Sequence, residues 1–137
     1  MVSVPLTLAQ LARAVRMSVE EVRFYQDCQL LPPVRRRRGR SDDRAFMKEH
    51  VDRLLFIKRS LRCGLALDDV VEILNPAALV TCGDVYDVTR RRLEQVRTGK
   101  NPDATALGHL ERLLAMCPRV GGRHECKIID TLANSNC

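Results

Sequence analysis

Apolar residues recur at helical spacing along most of the chain, and capping signals divide the pattern into separate helices. The first predicted helix covers residues 8–15 and follows Thr7, whose hydroxyl can cap its first turn. Ser18 and Glu21 have the spacing of a capping box for a second helix, which ends near Leu30, before Pro32. Two short helices joined by a tight turn predict a helix-turn-helix.

The same pattern predicts further helices downstream. Residues 47–64 and 67–74 are expected to form a third and a fourth helix, and residues 127–132 a last helical turn. Aromatic residues make up only 4% of the chain, which favours helices packed through Leu, Val and Ala. The predicted fold is mainly all-α, and 137 residues suffice for one domain, or for a small domain with an extension.

Within residues 82–117, a series of positions follow one another at intervals of alternately four and three residues, which is the spacing of a coiled coil. We call this series of positions the seam. A helix of this kind cannot bury its apolar stripe alone, so we expect a long antiparallel coiled-coil dimerisation helix that pairs with its copy in a second chain. Gly99 and then Asn101 with Pro102 form a stop and restart signal. They predict a kink, with Asn101 as a cap, and leave open two shorter helices.

The positive charge of the chain lies in its amino-terminal half. Residues 1–62 hold fourteen Lys and Arg against seven Asp and Glu, a net of +7, whereas residues 63–137 hold nine against ten, a net of −1. Residues 34–44 contain six Arg without apolar periodicity and predict an exposed basic loop. The expected partner of this half is a polyanion, and double-stranded DNA is the usual one.

Six Cys in a chain of this size point to metal or redox chemistry. The start of the chain lacks the regions of a signal peptide, and no apolar run approaches the roughly 20 residues of a membrane span, so we expect a cytoplasmic protein without membrane contact. Thiols stay reduced there, and thiolates select soft ions. Cys117 and Cys126 can close a loop on one ion, although two Cys at this spacing are more often packing residues.

An antiparallel arrangement would bring in a third sulfur. Cys82 and Cys117 lie 35 residues apart, at opposite ends of the seam. In an antiparallel pair of identical helices, the residue numbers of any two facing positions add up to the same value. If Cys82 faces Cys117 of the partner, that sum is 199 and the twofold axis passes between Gly99 and Lys100. Two equal sites would then each join Cys82 of one chain to Cys117 and Cys126 of the other.

Four segments of residues 7–74 together form a recognisable pattern: Val22-Arg23-Phe24-Tyr25, Leu30-Leu31-Pro32, Gly39 with Arg44, and His50-Val51-Asp52-Arg53-Leu54. With these segments, residues 7–74 resemble the winged helix-turn-helix of the MerR family of transcription regulators. The resemblance implies that the second helix, which Ser18 opens, enters the major groove, with Arg23 and Tyr25 on the phosphate backbone. In the wing, Arg44 matches the family pattern, whereas Arg40 is a basic candidate in a loop that departs from it.

The set Cys82, Cys117 and Cys126 resembles the heavy-metal branch of the same family, which implies a homodimer with sites shared between its chains. Copper(I) sensors of the family have Ser at the position of Cys82, so a thiol favours a divalent ion. We rank Pb²⁺ or Cd²⁺ first, Hg²⁺ close behind and Zn²⁺ third. The resemblance also implies that the dimer distorts promoter DNA when metal binds, so that RNA polymerase can engage both promoter elements.

The predicted organisation is a winged helix-turn-helix domain over residues 1–76, a dimerisation helix over 77–117, and a metal-binding loop and tail over 118–137. Two other hypotheses stay open: a redox regulator with a Cys117–Cys126 disulfide, and a Cys-rich metal buffer. His124 and Cys137 are further candidate ligands. No nucleophile–base pair, glycine-rich phosphate loop or acid pair stands out in the sequence, so we do not expect an enzyme.

Overall fold

The computed structural model describes residues 5–32, 46–75, 77, 81–117, 121–122 and 126–134. In these ranges the chain forms seven helices: α1 (Leu8–Val15), α2 (Val19–Asp27), α3 (Lys48–Arg62), α4 (Leu67–Ile73), α5 (Cys82–Arg97), α6 (Ala104–Met116) and α7 (Lys127–Asn134). Two isolated antiparallel bridges accompany them, Leu6 with Phe46 and Thr81 with Gly122. The prediction of a mainly helical fold is confirmed. None of these helices is long and apolar enough to cross a membrane.

Backbone packing divides the chain into two compact units, Met1–Leu55 and Phe56–Cys137, and the boundary falls inside α3. In the first unit, Thr7 and Gln10 form a reciprocal capping box at the start of α1. The Ser18 hydroxyl accepts from the Glu21 N–H at 3.1 Å and caps α2. Arg16, with a φ of 56°, makes the tight turn between the two helices.

The first unit is closed around one apolar core. Leu6 and Phe46 exchange two backbone hydrogen bonds, of 2.7 and 3.1 Å, which tie the start of α1 to the start of α3. The fully or nearly buried residues of this core are Leu11, Ala12, Val15, Val22, Leu31, Phe46 and Leu54. This packing presents one side of α2 to the core and leaves the other side to solvent.

In the second unit, α5 packs against α4, α6 and α7. The Asp69 carboxylate on α4 accepts from Arg92 Nε on α5 at 2.6 Å and from the Ala66 N–H at 2.9 Å. The apolar residues that this unit buries include Val70, Ile73, Val85, Val88, Leu93, Leu110, Leu113, Ile128 and Leu132. α5 is therefore the central helix of this unit.

The predicted long helix is divided in two. α5 ends at Arg97 and α6 begins at Ala104, so the chain reverses direction over residues 98–103 and the two helices form an antiparallel hairpin. Gly has low helix propensity and Pro lacks the N–H that a continuing helix needs, which explains the break at the predicted position. The cap of α6 is Asp103 rather than the predicted Asn101, with Oδ1 accepting from Thr105 and Ala106.

Candidate metal centre and nucleic-acid interface

Two of the three candidate metal ligands meet at one end of the α5–α6 hairpin. Cys82 is the first residue of α5 and is fully buried, and Cys117 follows the last residue of α6 and is 9% exposed. Their Sγ atoms are 2.9 Å apart. Because both residues belong to one chain, the pairing that the seam predicted between two chains is found here within a single chain.

Residues 121–122 lie beside the start of α5. The Cys82 N–H donates to the Gly121 carbonyl at 3.1 Å, and Thr81 forms an antiparallel bridge with Gly122. Thr81 also caps α5 through its hydroxyl, which accepts from the Asp84 N–H at 3.2 Å. The backbone at Cys82 is thus fixed both by a helix cap and by its contact with residues 121–122.

The third candidate ligand, Cys126, lies immediately before α7. It is 2% exposed, and its carbonyl accepts from the Asp130 N–H at 3.0 Å in the first turn of that helix. α7 packs against both α5 and α6. Among the residues that the structure describes, however, no three His, Cys, Asp or Glu side chains gather closely enough to form a complete ion site.

The chemistry of this donor set fits a soft ion. Bonds between a thiolate and a zinc-sized ion are about 2.3 Å, so two sulfurs on one tetrahedral ion lie about 3.8 Å apart. The Cys82 and Cys117 sulfurs, at 2.9 Å, are closer than that and farther apart than the two sulfurs of a disulfide. Moving them apart by about 1 Å would admit an ion. Cys126 would have to approach them to complete a three-sulfur site.

The candidate DNA-binding residues of α2 lie on or beside its solvent-exposed side. Ser18 and Arg23 are exposed, and Tyr25 is half-buried. Phe24 is 52% exposed and packs edge to face against Tyr25, with ring centroids 5.5 Å apart. Burial raises the pKa of the Tyr25 hydroxyl above its usual 10.0, with a further contribution from Glu21 and Cys28. The phenol therefore keeps its proton near neutral pH and can donate to a phosphate oxygen.

Several predicted residues lie outside the described part of the chain. These are the wing residues Arg40 and Arg44 and the two auxiliary ligand candidates, His124 and Cys137. Their predicted roles remain predictions.

Two residues of α3 have a role that the sequence pattern did not reveal. His50 is 1% exposed; its Nδ1 accepts from the Met47 N–H at 3.0 Å, so Nε2 carries the proton and donates to the Pro32 carbonyl at 3.0 Å. Arg53 Nη1 donates to the Leu30 carbonyl at 3.0 Å. Both side chains therefore hold residues 30–32, the last described residues before the basic loop, against α3.

Comparison with known proteins assigns the family. The profile described as "MerR HTH family regulatory protein" matches residues 6–76, just over half of the chain. The chain belongs to the MerR family. It is 32% identical over 132 residues to a mercuric resistance operon regulatory protein of Bacillus cereus, which covers 91% of this chain and 95% of the relative.

Other MerR-family relatives match nearly the whole chain. The regulator CueR of Vibrio cholerae is 26% identical over 142 residues, covering 96% of this chain and 94% of CueR. The transcription regulator PbrR691 of Ralstonia metallidurans CH34, solved in complex with lead(II), superposes with a TM-score of 0.60 and 30% sequence identity. That match covers 93% of this chain and 99% of PbrR691.

The family assignment gives different support to the two candidate sites. Ser18, Arg23 and Tyr25 fall within the matched MerR residues 6–76, whereas all three Cys ligand candidates lie beyond them. The coarse function is nevertheless clear, because the relatives that match nearly the whole chain include regulators named for mercuric resistance and a regulator solved with lead(II). The chain is a metal-responsive MerR-family transcription regulator, and this is a family of regulators rather than enzymes.

Proposed function

We propose that this regulator responds to a soft divalent ion bound by the thiolates of Cys82, Cys117 and Cys126. The observation that supports the proposal best is the meeting of two buried sulfurs that lie 35 residues apart in sequence and on different helices. Thiolates are soft ligands, so two thiols that meet in this way are chemically suited to a soft cation.

The proposed order of ions is Pb²⁺ or Cd²⁺ first, then Hg²⁺, then Zn²⁺. The relatives named above support both leading choices, since one is named for mercuric resistance and another was solved with lead(II). When bound, the ion supplies strong bonds to sulfur that hold the ends of α5 and α6 at a fixed distance. Cys126 would complete the site by drawing the start of α7 towards the other two thiolates.

The DNA-binding half of the proposal rests on α2. We assign α2 to the major groove of double-stranded promoter DNA, with Arg23 and Tyr25 on the phosphate backbone and Ser18 at the helix start. Arg40 and Arg44 of the basic loop would add contacts beside the helix. The net charge of +7 over residues 1–62 favours this polyanionic partner.

The active species in this proposal is a cytoplasmic homodimer that acts together with RNA polymerase. Metal binding would change how the two DNA-binding units bend and untwist the promoter, which activates a metal-resistance operon. Modest bending of a DNA site costs about 1 to 6 kcal/mol, and thiolate coordination of a structural ion releases more than that. The free energy of metal binding is therefore sufficient to bend and untwist the promoter DNA.

The metal half is tested by titrating the reduced protein with Pb²⁺, Cd²⁺, Hg²⁺ and Zn²⁺ in competition, followed by thiolate-to-metal charge-transfer absorption. We expect Cys82→Ser, Cys117→Ser and Cys126→Ser each to weaken the absorption and the metal response. Cys28→Ser is the matched control, because Cys28 is an exposed, unbridged thiol that follows the last residue of α2. A full response in the Cys82→Ser or Cys117→Ser protein would contradict the proposed ligands.

The DNA half is tested by measuring promoter binding as a function of salt. All three Cys→Ser proteins should retain binding, since the sulfurs lie outside the proposed DNA-binding residues. Arg23→Ala should weaken binding across sequences and reduce the salt slope by about 1, as expected for one lost phosphate contact. Arg90→Ala, an exposed Arg on α5, should leave the slope unchanged. Equal slopes for both Arg variants would argue against a phosphate contact at Arg23.

The distance between the sulfurs also supports a second candidate function, a redox-responsive regulator. The sequence alone suggested a Cys117–Cys126 disulfide, but the sulfur atoms found at 2.9 Å are those of Cys82 and Cys117. A peroxide could oxidise this pair, which loses two electrons and two protons to form one disulfide. Mass spectrometry of the protein after peroxide treatment distinguishes the functions, because a bound ion should protect the pair and DNA binding should respond to the ion without oxidation.

A further inference from the structure

We propose that Cys63 and Cys137 form a reversible disulfide bond between the turn after α3 and the end of the chain. The bond holds α7 in place and so opposes the approach of Cys126 to the other two candidate metal ligands. The bond itself needs neither metal nor DNA, whereas its effect on an ion rests on the proposed function.

The first argument is the bonding state of the cysteines. Cys63 is disulfide-bonded. The other cysteines of the described ranges are thiols, namely Cys28, Cys82, Cys117 and Cys126. The sequence contains six cysteines, so Cys137 is the one cysteine of the chain that remains as a partner for Cys63. Cys137 lies beyond the described residues, and its bond to Cys63 is therefore the step that we propose.

The second argument is that the end of α7 lies near Cys63. Arg59 Nη1 on α3 donates to the Ala133 carbonyl at 2.6 Å. The Cys63 N–H donates to the Arg59 carbonyl at 2.9 Å, so Cys63 lies about 6 Å further along the same helical path. Ala133 precedes Cys137 by four residues, which span up to about 13 Å when extended. The chain after α7 is therefore long enough to bring the second sulfur to Cys63.

The third argument is that Cys63 is held rigidly. Its side chain is fully buried. The turn that follows it is closed by two backbone hydrogen bonds, from Gly64 to the Leu61 carbonyl at 3.2 Å and from Leu65 to the Ser60 carbonyl at 3.1 Å. A bond to a sulfur in this position restricts the end of the chain and the helix α7 that precedes it.

The chemistry of the bond is that of a redox sensor. In the cytoplasm, the compartment expected from the sequence, disulfides are usually transient and serve catalysis or redox sensing. One protein thiolate attacks a small disulfide, such as oxidised glutathione, and releases one small thiol; the second protein thiolate then displaces the other. The protein loses two electrons and two protons, and the small disulfide becomes two thiols. An excess of the small thiol reverses the reaction.

The bond affects the candidate metal centre through α7. This helix of eight residues packs against α5 and α6, and Cys126 lies immediately before it, at the end opposite to Ala133. The structure has Cys63 bonded, and in it no three His, Cys, Asp or Glu side chains of the described residues gather into an ion site. Opening the bond releases α7 for the movement that a three-sulfur site needs. Ion binding must in turn favour the open form, because the coupling of two equilibria is reciprocal.

The bond is tested in the full-length protein without metal. Reduced protein is equilibrated with mixtures of reduced and oxidised glutathione, the remaining thiols are blocked with N-ethylmaleimide, and the chain is cut before each Asp. This cleavage places Cys63 in residues 52–67 and Cys137 in residues 130–137, apart from every other cysteine. We expect mass spectrometry to find these two peptides linked.

Two variants make this measurement specific. Cys137→Ser should abolish the link without disturbing a buried residue of the described core, and Cys28→Ser, which changes an exposed thiol, should retain the link. A link from residues 130–137 to residues 103–129, or from residues 52–67 to the same peptide of a second chain, would overturn the assigned pair. A Cys63 that stays blocked at the most oxidising glutathione ratio would overturn the bond itself.

The effect on α7 is tested with Cd²⁺ as the probe ion. Fully reduced protein and protein with only this bond, which retains four of its six thiols, are titrated in competition with a chelator and followed by thiolate-to-metal absorption. We expect the bonded protein to bind Cd²⁺ about tenfold more weakly, within the usual range of coupling between sites. Reduced Cys137→Ser protein should bind Cd²⁺ as tightly as the reduced wild type.

The outcomes separate this proposal from the proposed function. Equal Cd²⁺ affinities of the bonded and reduced proteins would overturn the effect of the bond on α7. Weaker binding by reduced Cys137→Ser protein would make Cys137 an ion ligand and would also overturn the proposal. Absence of thiolate absorption in both forms with every ion of the competition series would reject the proposed function, while the linked peptides would still decide the bond.

Discussion

Replacing Gly64 by Ala tests a close approach between the turn after α3 and helix α6 in the second unit. Gly64 follows the end of α3 with a φ of +101°, and its N–H donates to the Leu61 carbonyl at 3.2 Å. A Cβ built at this position lies 2.9 Å from Ala106 Cβ and 3.2 Å from Ala106 Cα. The methyl group would therefore meet the backbone of α6 and not the flexible end of a side chain.

Two effects should lower the free energy of unfolding of the Gly64→Ala protein. A residue other than Gly at a positive φ costs about 1–3 kcal/mol, and overpacking at a rigid contact costs about 1–3 kcal/mol more. We expect the free energy of unfolding to fall by about 2–5 kcal/mol, from a total that is about 5–15 kcal/mol for a typical domain. Urea denaturation followed by circular dichroism measures this loss.

Two further variants separate the causes. Gly108→Ala, which has open space around its Cβ, should raise the stability of α6 by up to about 1 kcal/mol. Ala106→Gly should cost less in the Gly64→Ala background than in the wild type, because it removes the clashing methyl while the strain at φ remains. A Gly64→Ala loss below about 0.5 kcal/mol, the usual range of surface changes, would refute the close packing of the α3 turn against α6.

Three further predictions concern other described contacts. Asp69→Asn removes the charge that faces Arg92 and should lower the free energy of unfolding, measured by urea denaturation, by about 1–3 kcal/mol. Glu72→Gln, in an exposed ion pair, should lower it by less than about 1 kcal/mol. Equal losses in the two variants would contradict the burial of Asp69. Because the pKa of Tyr25 is raised, its contribution to stability should be complete below pH 10.0 and should be lost as the pH rises through the higher folded-state value. The difference between ultraviolet titrations of wild-type and Tyr25→Phe protein gives that pKa, and a midpoint at or below 10.0 would contradict the shift. Ser18→Ala should lower the free energy of unfolding, measured by thermal denaturation, by about 1 kcal/mol, whereas Ser18→Asp should retain it, since either side chain offers an oxygen that can accept from the Glu21 N–H in the first turn of α2.

The amino-terminal helices could be predicted because their start signals are local. A capping residue and the N–H that it accepts lie three residues apart, as in Thr7 with Gln10 and Ser18 with Glu21. Such pairs are visible in any short window of sequence. The end of α4 is marked locally as well: Asn75 and Pro76 predict a stop at Leu74, and the helix ends one residue earlier, at Ile73.

The role of His50 and Arg53 could not be predicted in this way. Both side chains bond to backbone carbonyls, 18 and 23 residues earlier in the chain. Every residue has a backbone carbonyl, so the residue type at the accepting position gives no sign that it accepts a hydrogen bond. Only the fold of the first unit identifies Leu30 and Pro32 as the acceptors, and with them the attachment of the segment that precedes the basic loop.

Residues 82–117 illustrate a different limit of prediction from sequence. The spacing of the seam predicted that Cys82 faces Cys117 of a second chain, whereas the structure brings the two residues together within one chain. The spacing of a seam does not distinguish these two cases. Closing a connector of six residues costs little entropy and does not depend on concentration. Joining two chains costs translational freedom. Gly99 and Pro102, which interrupt the seam pattern, carry information that the seam pattern itself lacks, because both residues disfavour a continuous helix and so allow the chain to fold back on itself.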